Sequence, residues 1–537
     1  MNRSPVRLAF LAGLLGGSTA LVILLAGSVV SGQPGFLELV HNGATTFVPL
    51  ELFEAGIATF GSFAKGLLFI GIAATLVVVG GIIAAVAARV GLIGASAGRI
   101  VGLWIGLLAF VAAELVILPI FLAGPFGSSY VGDMVALHIP LALACLAYGS
   151  VTIGVVRDAA ARVTAASARS SDGSDPMSDG PSELPRRTVL GGAAAIIGLA
   201  SLGLASVGVF ARVLSAGRAN DGVGASGPQA PGGYGPTPAV TPLGDFYTIS
   251  KDLFPTRVDG ATWRLAVGGL VDAPHEYTID ELGQLPRLEG YRTLQCISNE
   301  VVTYGRLIGN QRWAGVRAAD ILAAVGVRPE ATHVLWRSAD GYTESLPIDV
   351  ARDPRTWLVD EMGPAGTGLT DEHGYPLRVL IAGRYGMKQP KWLTGIELAD
   401  HDEPGYWEHR GWDQTAAVRT YSRIDQPMTA ATVPAGAPVP VYGVATAGDR
   451  GIRRVEVSAD DGANWIDAEI EQVATGIEDL TWRRWRASVV LPRAGRYVLV
   501  ARATDGTGGL QDDTPRPTLP SGATGLHRVT VTASEAG

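Results

Sequence analysis

The chain is predicted to be a multi-domain protein: an N-terminal all-α transmembrane bundle of five spans, an α+β domain, and a C-terminal immunoglobulin-like β-sandwich. Three observations lead there. Charged residues are only 17% of 537 positions and mean hydropathy is +0.26, too apolar for an ordinary soluble protein. The apolar excess is concentrated in runs before about residue 215. After about Pro427, short alternating strand patterns separated by turn residues take over.

The spans come first. Apolar runs near residues 8–30, 66–88, 101–123 and 134–156 each reach the roughly 20 residues that cross a bilayer core, and a fifth covers 188–215. The first run is long, lacks a clear small-residue cleavage site and is followed by further spans, so it reads as an anchor rather than a removable leader. Orientation follows from the basic residues, which favour cytoplasmic loops. Arg3 and Arg7 put the N-terminus inside, Arg89 and Arg99 the second-to-third connection, and Arg157, Arg162 and Arg169 the segment after span four. The loop 31–64 carries Glu38, Glu51 and Glu54 and no Lys or Arg, as an outside loop should. Five spans then place everything after about Ala216 outside. Within the third span Glu114 is an intramembrane carboxylate, costly enough to be either functional or packed between helices as a neutral acid.

The sequence therefore divides into a four-span membrane domain (1–156), a Ser/Asp/Gly/Pro-rich cytoplasmic linker (157–187), a fifth span (188–215), a Gly/Pro-rich linker (216–243), an α+β domain (244–410) and the sandwich (411–537). At the entrance to the fifth span, Pro185-Arg186-Arg187-Thr188-Val189-Leu190 resembles a twin-arginine export signal. It would bring the twin-arginine export machinery, which carries folded cargo, into play as a partner. Two arginines before a span also simply obey the charge rule.

In the 244–410 domain, strand-like runs such as Trp263 to Val267, His333 to Trp336 and Leu377 to Ile381 alternate with a helical pattern from Val316 to Val325. In the sandwich, strands are expected over Val439 to Val444, Arg453 to Val457, Trp482 to Leu491 and Tyr497 to Ala503.

Cys296, in Arg292-Thr293-Leu294-Gln295-Cys296-Ile297-Ser298-Asn299, is the sole cysteine of the half expected outside. The other, Cys145, lies in an apolar span, so a disulfide between them is not expected. A lone thiol of this kind is a spare hydrophobe, a nucleophile or a metal ligand. Further on, Arg378, Lys388 and Lys391 fall within a short stretch, with Gly383 and Gly386 between them. They suit either a local anion site or a solvated basic hairpin. The net charge of −8 favours no nucleic-acid partner.

The run LQCISN, the strand-entering Asp371-Glu372-His373-Gly374-Tyr375-Pro376-Leu377-Arg378, the GMKQPKWL run and GYWEHRGW together resemble the sulfite oxidase family of molybdopterin-dependent oxidoreductases. The sandwich, with VEVSADDGANW and ARATDG, resembles that family's dimerisation domain. The resemblance implies an α+β molybdopterin-binding domain of sulfite oxidase type, a molybdenum-molybdopterin cofactor and a possible homodimer. On its terms Cys296 is the metal ligand. His373, Arg378 and Lys391 hold the pterin and its phosphate, Asp340 lies against the pterin, and Asn299, Lys388 and Gln389 adjoin them. Tyr247, Ser250 and Lys251 fall in an N-terminal cofactor-binding segment. Arg312 supplies a cation near the metal, and Trp412 takes the place of an active-site tyrosine.

Two departures bear on the small-molecule substrate. Sulfite oxidases follow the cysteine with Ala-Gly-Asn-Arg-Arg, whereas this chain has Ile297-Ser298-Asn299-Glu300-Val301. A glutamate in place of a cationic pair repels a dianion such as sulfite. The tyrosine-to-tryptophan change at Trp412 points the same way, so a neutral or bulkier substrate is as well supported as sulfite. The expected activity is two-electron oxygen-atom transfer by an enzyme anchored in membrane lipid. The alternatives are reduction of a sulfoxide or related oxide and, in another class, a cofactor-free surface binding module. The chain has no CxxCH, iron-sulfur cysteine set or dinucleotide fingerprint, so a separate electron carrier, a cytochrome or quinone-linked protein, is expected.

Overall fold

The computed structural model describes residues 4–31, 35–48, 52, 63–94, 97–121, 126, 134–171, 233–252, 255–301, 305–473 and 480–535. The expected fifth span, the twin-arginine pair and most of both linkers lie outside them. Two compact units result: one of residues 1–218 with Ser250–Phe254, the other of Ala219–Ile249 with Pro255–Gly537.

The first unit is helical. It comprises α1 (Ser4–Ser31), α2 (Phe36–Phe47), α3 (Phe63–Arg89), α4 (Arg99–Ala112) and α5 (Met134–Ser171). Among the described residues, four helical stretches are long and apolar enough to cross a membrane: Pro5–Ser31, Lys65–Arg89, Arg99–Ile120 and Met134–Ala161. Continuous apolar sequence rich in Leu and Ala, and in α3 also in Val and Ile, makes these helices, and large side chains such as Leu24, Phe69, Leu118, Leu137 and Leu141 form their common core. Gly102 and Gly106, one turn apart on α4, let it approach α5 closely. A Cβ at either would stand 2.8 Å from Gly149 O or 2.7 Å from Cys145 O. Two features differ from expectation. The loop 31–64 contains α2. The linker expected from residue 157 begins instead as helix, because Ala-rich sequence from Asp158 onward extends α5 to Ser171. Glu114 sits in a π-helical turn, Ala113–Ile117, that continues α4, with its carboxylate fully buried and Oε1 3.4 Å from His138 Nε2 on α5.

The second unit begins with an α+β domain. Its strands and helices are β1 (Leu265–Gly269), β2 (His275–Tyr277), α6 (Ile279–Gly283), β3 (Leu288–Gln295), β4 (Ile308–Arg317), α7 (Ala318–Val325), β5 (His333–Ser338), β6 (Thr343–Pro347), α8 (Ile348–Arg352), β7 (Trp357–Met362), β8 (Arg378–Leu380) and β9 (Leu393–Ala399). Helix α6 starts on a reciprocal cap: Glu281 N donates to Thr278 Oγ1, and Thr278 N to Glu281 Oε2. The strands form two sheets, β2-β1-β9-β5-β6 and β3-β4-β7-β8. Only the β1–β9 pair is parallel. Apolar side chains of α7, β1, β5, β8 and β9, with Trp263 and Trp336, make one core, and Leu294, Trp313, Val359 and Leu380 make a second around Cys296.

The remaining strands are β10 (Tyr421–Gln426), β11 (Thr432–Pro434), β12 (Pro438–Thr446), β13 (Ile452–Ser458), β14 (Ile466–Asp467), β15 (Glu469–Ile470), β16 (Arg483–Val490), β17 (Gly495–Asp505) and β18 (His527–Ser534). Two sheets, β10-β12-β16-β15 and β11-β18-β17-β13-β14, share a core of alternating inward residues including Val441, Val455, Trp485, Leu499 and Val531.

Candidate active site around Cys296

Cys296 follows the last residue of β3. Its strand face carries Arg292 and Leu294 inward at the two-residue period, so the same alternation that buries Leu294 buries the thiol, 8% exposed. The loop after it is pinned at both ends. Cys296 N donates to Leu307 O (2.9 Å), Asn299 N to Cys296 O (3.0 Å), and Leu307 N to Asn299 Oδ1 (2.8 Å). Asn299 thus holds the cysteine loop shut. Burial raises the pKa of the thiol, an effect that Ser298, with Oγ 3.0 Å from Sγ, opposes by hydrogen bonding. A thiol held protonated by burial is a poor free nucleophile, and binding a cation would drive its proton off.

Basic groups gather around the same cluster, with the Arg378 guanidinium carbon 5.2 Å from the centre of the Trp313 ring. Arg378 opens β8 and is 5% exposed. Its Nη1 donates to His373 O (3.1 Å), its Nη2 lies 3.5 Å from Gln389 O, and its Nε has no partner among the described residues. Burial lowers its pKa to about 10. His373 packs edge-on to Phe246, with centroids 5.6 Å apart. Burial first, then Arg378 and Lys391, push its pKa down to about 3, so the ring is neutral at physiological pH. Lys391 Nζ donates to Glu372 O (2.9 Å) and lies 4.3 Å from the centre of the Trp392 ring. Gln389 Nε2 donates to Arg384 O (2.8 Å). Asp340 lies in the β5–β6 turn and accepts from Tyr342 N (2.9 Å), while Ala339 N beside it donates to Trp392 O (2.8 Å).

Tyr247 is buried in the apolar cluster that holds Cys296. Burial, then the Cys296 charge, raise its phenol pKa, and Arg378 lowers it. Gly386 makes room for it: a Cβ there would stand 3.0 Å from the phenol oxygen. Trp412 and Trp407 pack against Ile297, Tyr385 and Met387, one residue from the cysteine.

Four expectations are corrected. Arg312 does not approach the cysteine. Gln295 pairs with Ile308, so Arg312 lies four residues up β4, roughly 13 Å along the strand, and its guanidinium engages Glu289 and Glu361. Lys388 is not an open cation. It is 1% exposed, with Nζ 2.6 Å from Glu344 Oε2 and in contact with Glu408. Ser250 and Lys251 belong to the first unit: Lys65 of α3 donates to Ser250 O, and Lys251 pairs with Asp252 at 2.8 Å.

Sequence reasoning missed Tyr385, Glu344 and Glu408. Tyr385, 2% exposed, has its pKa raised by burial and by the nearby Cys296 charge. Glu344 is buried with Lys388: Tyr342 Oη lies 2.8 Å from Glu344 Oε1 and 2.7 Å from Met387 O. Burial raises the Glu344 pKa to about 8.

A soft thiol, an orphaned buried guanidinium, a neutral imidazole and a lysine fit a metal held by sulfur and an anionic group held by cations. Known proteins agree. An oxidoreductase molybdopterin binding domain model matches residues 253–407, and a Mo-co oxidoreductase dimerisation domain model matches 413–533. The class is a molybdopterin-dependent oxidoreductase. The uncharacterized oxidoreductase YuiH of Bacillus subtilis is 35% identical over 158 residues, 29% of this chain and 76% of that protein. Mitochondrial sulfite oxidase of Rattus norvegicus is 28% identical over 319 residues, 52% of this chain and 58% of that protein. Among solved structures, the sulfane dehydrogenase SoxCD from Paracoccus pantotrophus aligns with a TM-score of 0.47 at 24% identity, covering 54% of this chain and 83% of that one. The chain belongs to the sulfite oxidase family, and its cofactor is molybdenum on molybdopterin. It spans 58% of the length of the rat relative.

Two outcomes follow. Arg378→Met should weaken retention of the pterin about 10- to 100-fold, the worth of one charged hydrogen bond, read as pterin released on gel filtration. Because Glu344 has a raised folded pKa, its contribution is fully present below about 4.5 and is lost as pH rises through about 8. Glu344→Gln should therefore flatten that part of the stability–pH curve in urea unfolding, and an unchanged slope would assign the proton elsewhere.

Proposed function

We propose that this protein is a multi-pass, membrane-anchored molybdenum enzyme that transfers an oxygen atom to or from a small substrate on the outer face of the cell membrane. The observation that carries the reading is the buried Cys296 thiol in the cluster whose Trp313 ring Arg378 packs on, with the Arg378 Nε unpartnered among the described residues. When bound, the cofactor supplies two-electron oxygen-atom chemistry, in which a substrate gains oxygen from water and releases two protons and two electrons, or the reverse. Cys296 would give its thiolate to the metal. Arg378, Lys391 and neutral His373 would hold the pterin phosphate, Asp340, Gln389 and Asn299 would fix the surrounding loops, and Tyr247 would close the pocket over the thiol. Trp412 would wall the substrate side. The electrons would pass to or from a separate cytochrome or quinone-linked carrier.

Four apolar helices fit a membrane anchor. The basic connections of the sequence support an outward catalytic domain, with the twin-arginine pair as its route. The dimerisation domain match supports a homodimer. The family's sulfite chemistry is weakened here by Glu300, which burial keeps biased toward the neutral acid and which offers no cation to a dianion. That favours reduction of a sulfoxide-like oxide as the second reading.

Cys296→Ser should abolish turnover with an artificial electron donor and acceptor while circular dichroism stays unchanged. Wild-type rates in the variant would refute the ligand assignment. A reporter fused after Ala216 should be active only outside the cytoplasm, and Arg186→Lys with Arg187→Lys should strand the domain inside. Native protein lacking stoichiometric molybdenum by elemental analysis would sink the enzymatic reading.

A further inference from the structure

Between the oxidoreductase domain and the sandwich lies a half-open cavity of about 340 Å³, at the low end of ligand pockets. Its walls include Asp413, Ala417, Arg419, Arg450, Asp512 and Ser521. On one side the buried Tyr385 packs with Ile297, the residue after Cys296. On the other, its oxygen accepts from Arg419 N (3.2 Å), and a Cβ on Gly522, next to Ser521, would lie 2.5 Å from it. Trp412, packed against Ile297 and Tyr385, directly precedes Asp413 in the chain.

The charges in these walls are arranged as a dipole. Arg450 is engaged by Asp505 Oδ2 (2.9 Å), Val418 O (3.0 Å) and Thr420 Oγ1 (3.2 Å). Asp512 is engaged by Arg516 (2.6 Å) and Thr514 N (3.0 Å). Arg419 and Asp413 remain. Arg419 Nε donates to Ser521 O (3.0 Å), and Ser521 Oγ donates to Asp413 Oδ2 (2.6 Å), so one serine tethers a cation and an anion side by side. Asp413 also accepts from Thr415 N and Ala416 N, both at 2.8 Å, all neutral donors. Two arginines and two aspartates leave this wall without net charge. A dianion entering it meets Asp413 at the same range as Arg419 and must shed its hydration for no net attraction. A molecule with a strong bond dipole but no net charge aligns with both.

We propose that this cavity is the substrate vestibule of the molybdenum site, and that it selects a small polar molecule of no net charge, its oxo oxygen toward Arg419, over an anion. The assignment rests on the enzymatic reading above and names its substrate class.

The test uses redox-inert probes of similar shape that differ by one charge, dimethyl sulfone and methanesulfonate, added to the full-length protein in lipid nanodiscs. Methyl saturation-transfer NMR reads binding. Dimethyl sulfone should bind at least about 5-fold more tightly than methanesulfonate. Ala417→Trp, which fills the cavity, should remove its signal. Asp512→Asn, which makes the wall net positive, should narrow or invert the preference, and it keeps the test open if the tryptophan variant misfolds. Equal or tighter binding of methanesulfonate by the native protein overturns the proposal, as does sulfone binding unaffected by a folded Ala417→Trp. Neither probe exchanges electrons, so this result is independent of the molybdenum content measured on the same sample, which alone decides the enzymatic reading.

Discussion

The site depends on one constraint: positive charge has been taken out of water, against the cluster that holds Cys296, without a carboxylate to meet it. Arg378 is buried against the Trp313 ring, two of its nitrogens face backbone carbonyls, and its Nε faces nothing among the described residues. An uncompensated buried guanidinium costs several kcal/mol unless something anionic completes it. On the proposed reading the cofactor's phosphate is that group. The neutral state of His373 follows from the same crowding, because a second full charge beside Arg378 would add repulsion to desolvation.

A few residues away the opposite solution is built. Lys388 is even more deeply buried, yet Glu344 and Glu408 answer its charge, and burial biases Glu344 toward the neutral acid. Two buried cations in one short segment thus have different roles. Lys388 locks the Met387 segment, which packs on Ile297 and Trp407, and Arg378 is left available for a ligand. Cation count alone does not distinguish them. Partner geometry does.

Arg450, Asp512 and Ser521 of the sandwich line the cavity beside Tyr385. On the proposed reading, substrate charge preference is then set partly by a domain that carries none of the proposed cofactor contacts. In the helical unit, close glycine packing between α4 and α5 brings the π-helical turn bearing Glu114 to His138. That pair gives the buried Glu114 carboxylate a specific polar neighbour rather than a purely apolar one.

Much of the architecture was legible in the amino-acid sequence because its signals are local. Apolar runs longer than a bilayer core read as α1, α3, α4 and α5. Two-residue alternation marked β12, β13, β16 and β17, and the order of short motifs named the family and the cysteine. Strands β3, β4 and β10 went unread because buried polar residues such as Arg292, Gln311 and Asp425 interrupt their alternation. Roles that depend on distant partners were also misjudged. Arg312 looked like a cation for the metal until β3–β4 register carried it to Glu289 and Glu361, and Lys388 looked like a phosphate ligand until β6 supplied Glu344. The sequence by itself determined which residues can ionise, ligate or span, since those are properties of side-chain chemistry and spacing. Tertiary structure alone decided which charges are answered from within and which are left for a ligand, because Coulomb interaction and desolvation depend on distances that the chain sets only by folding.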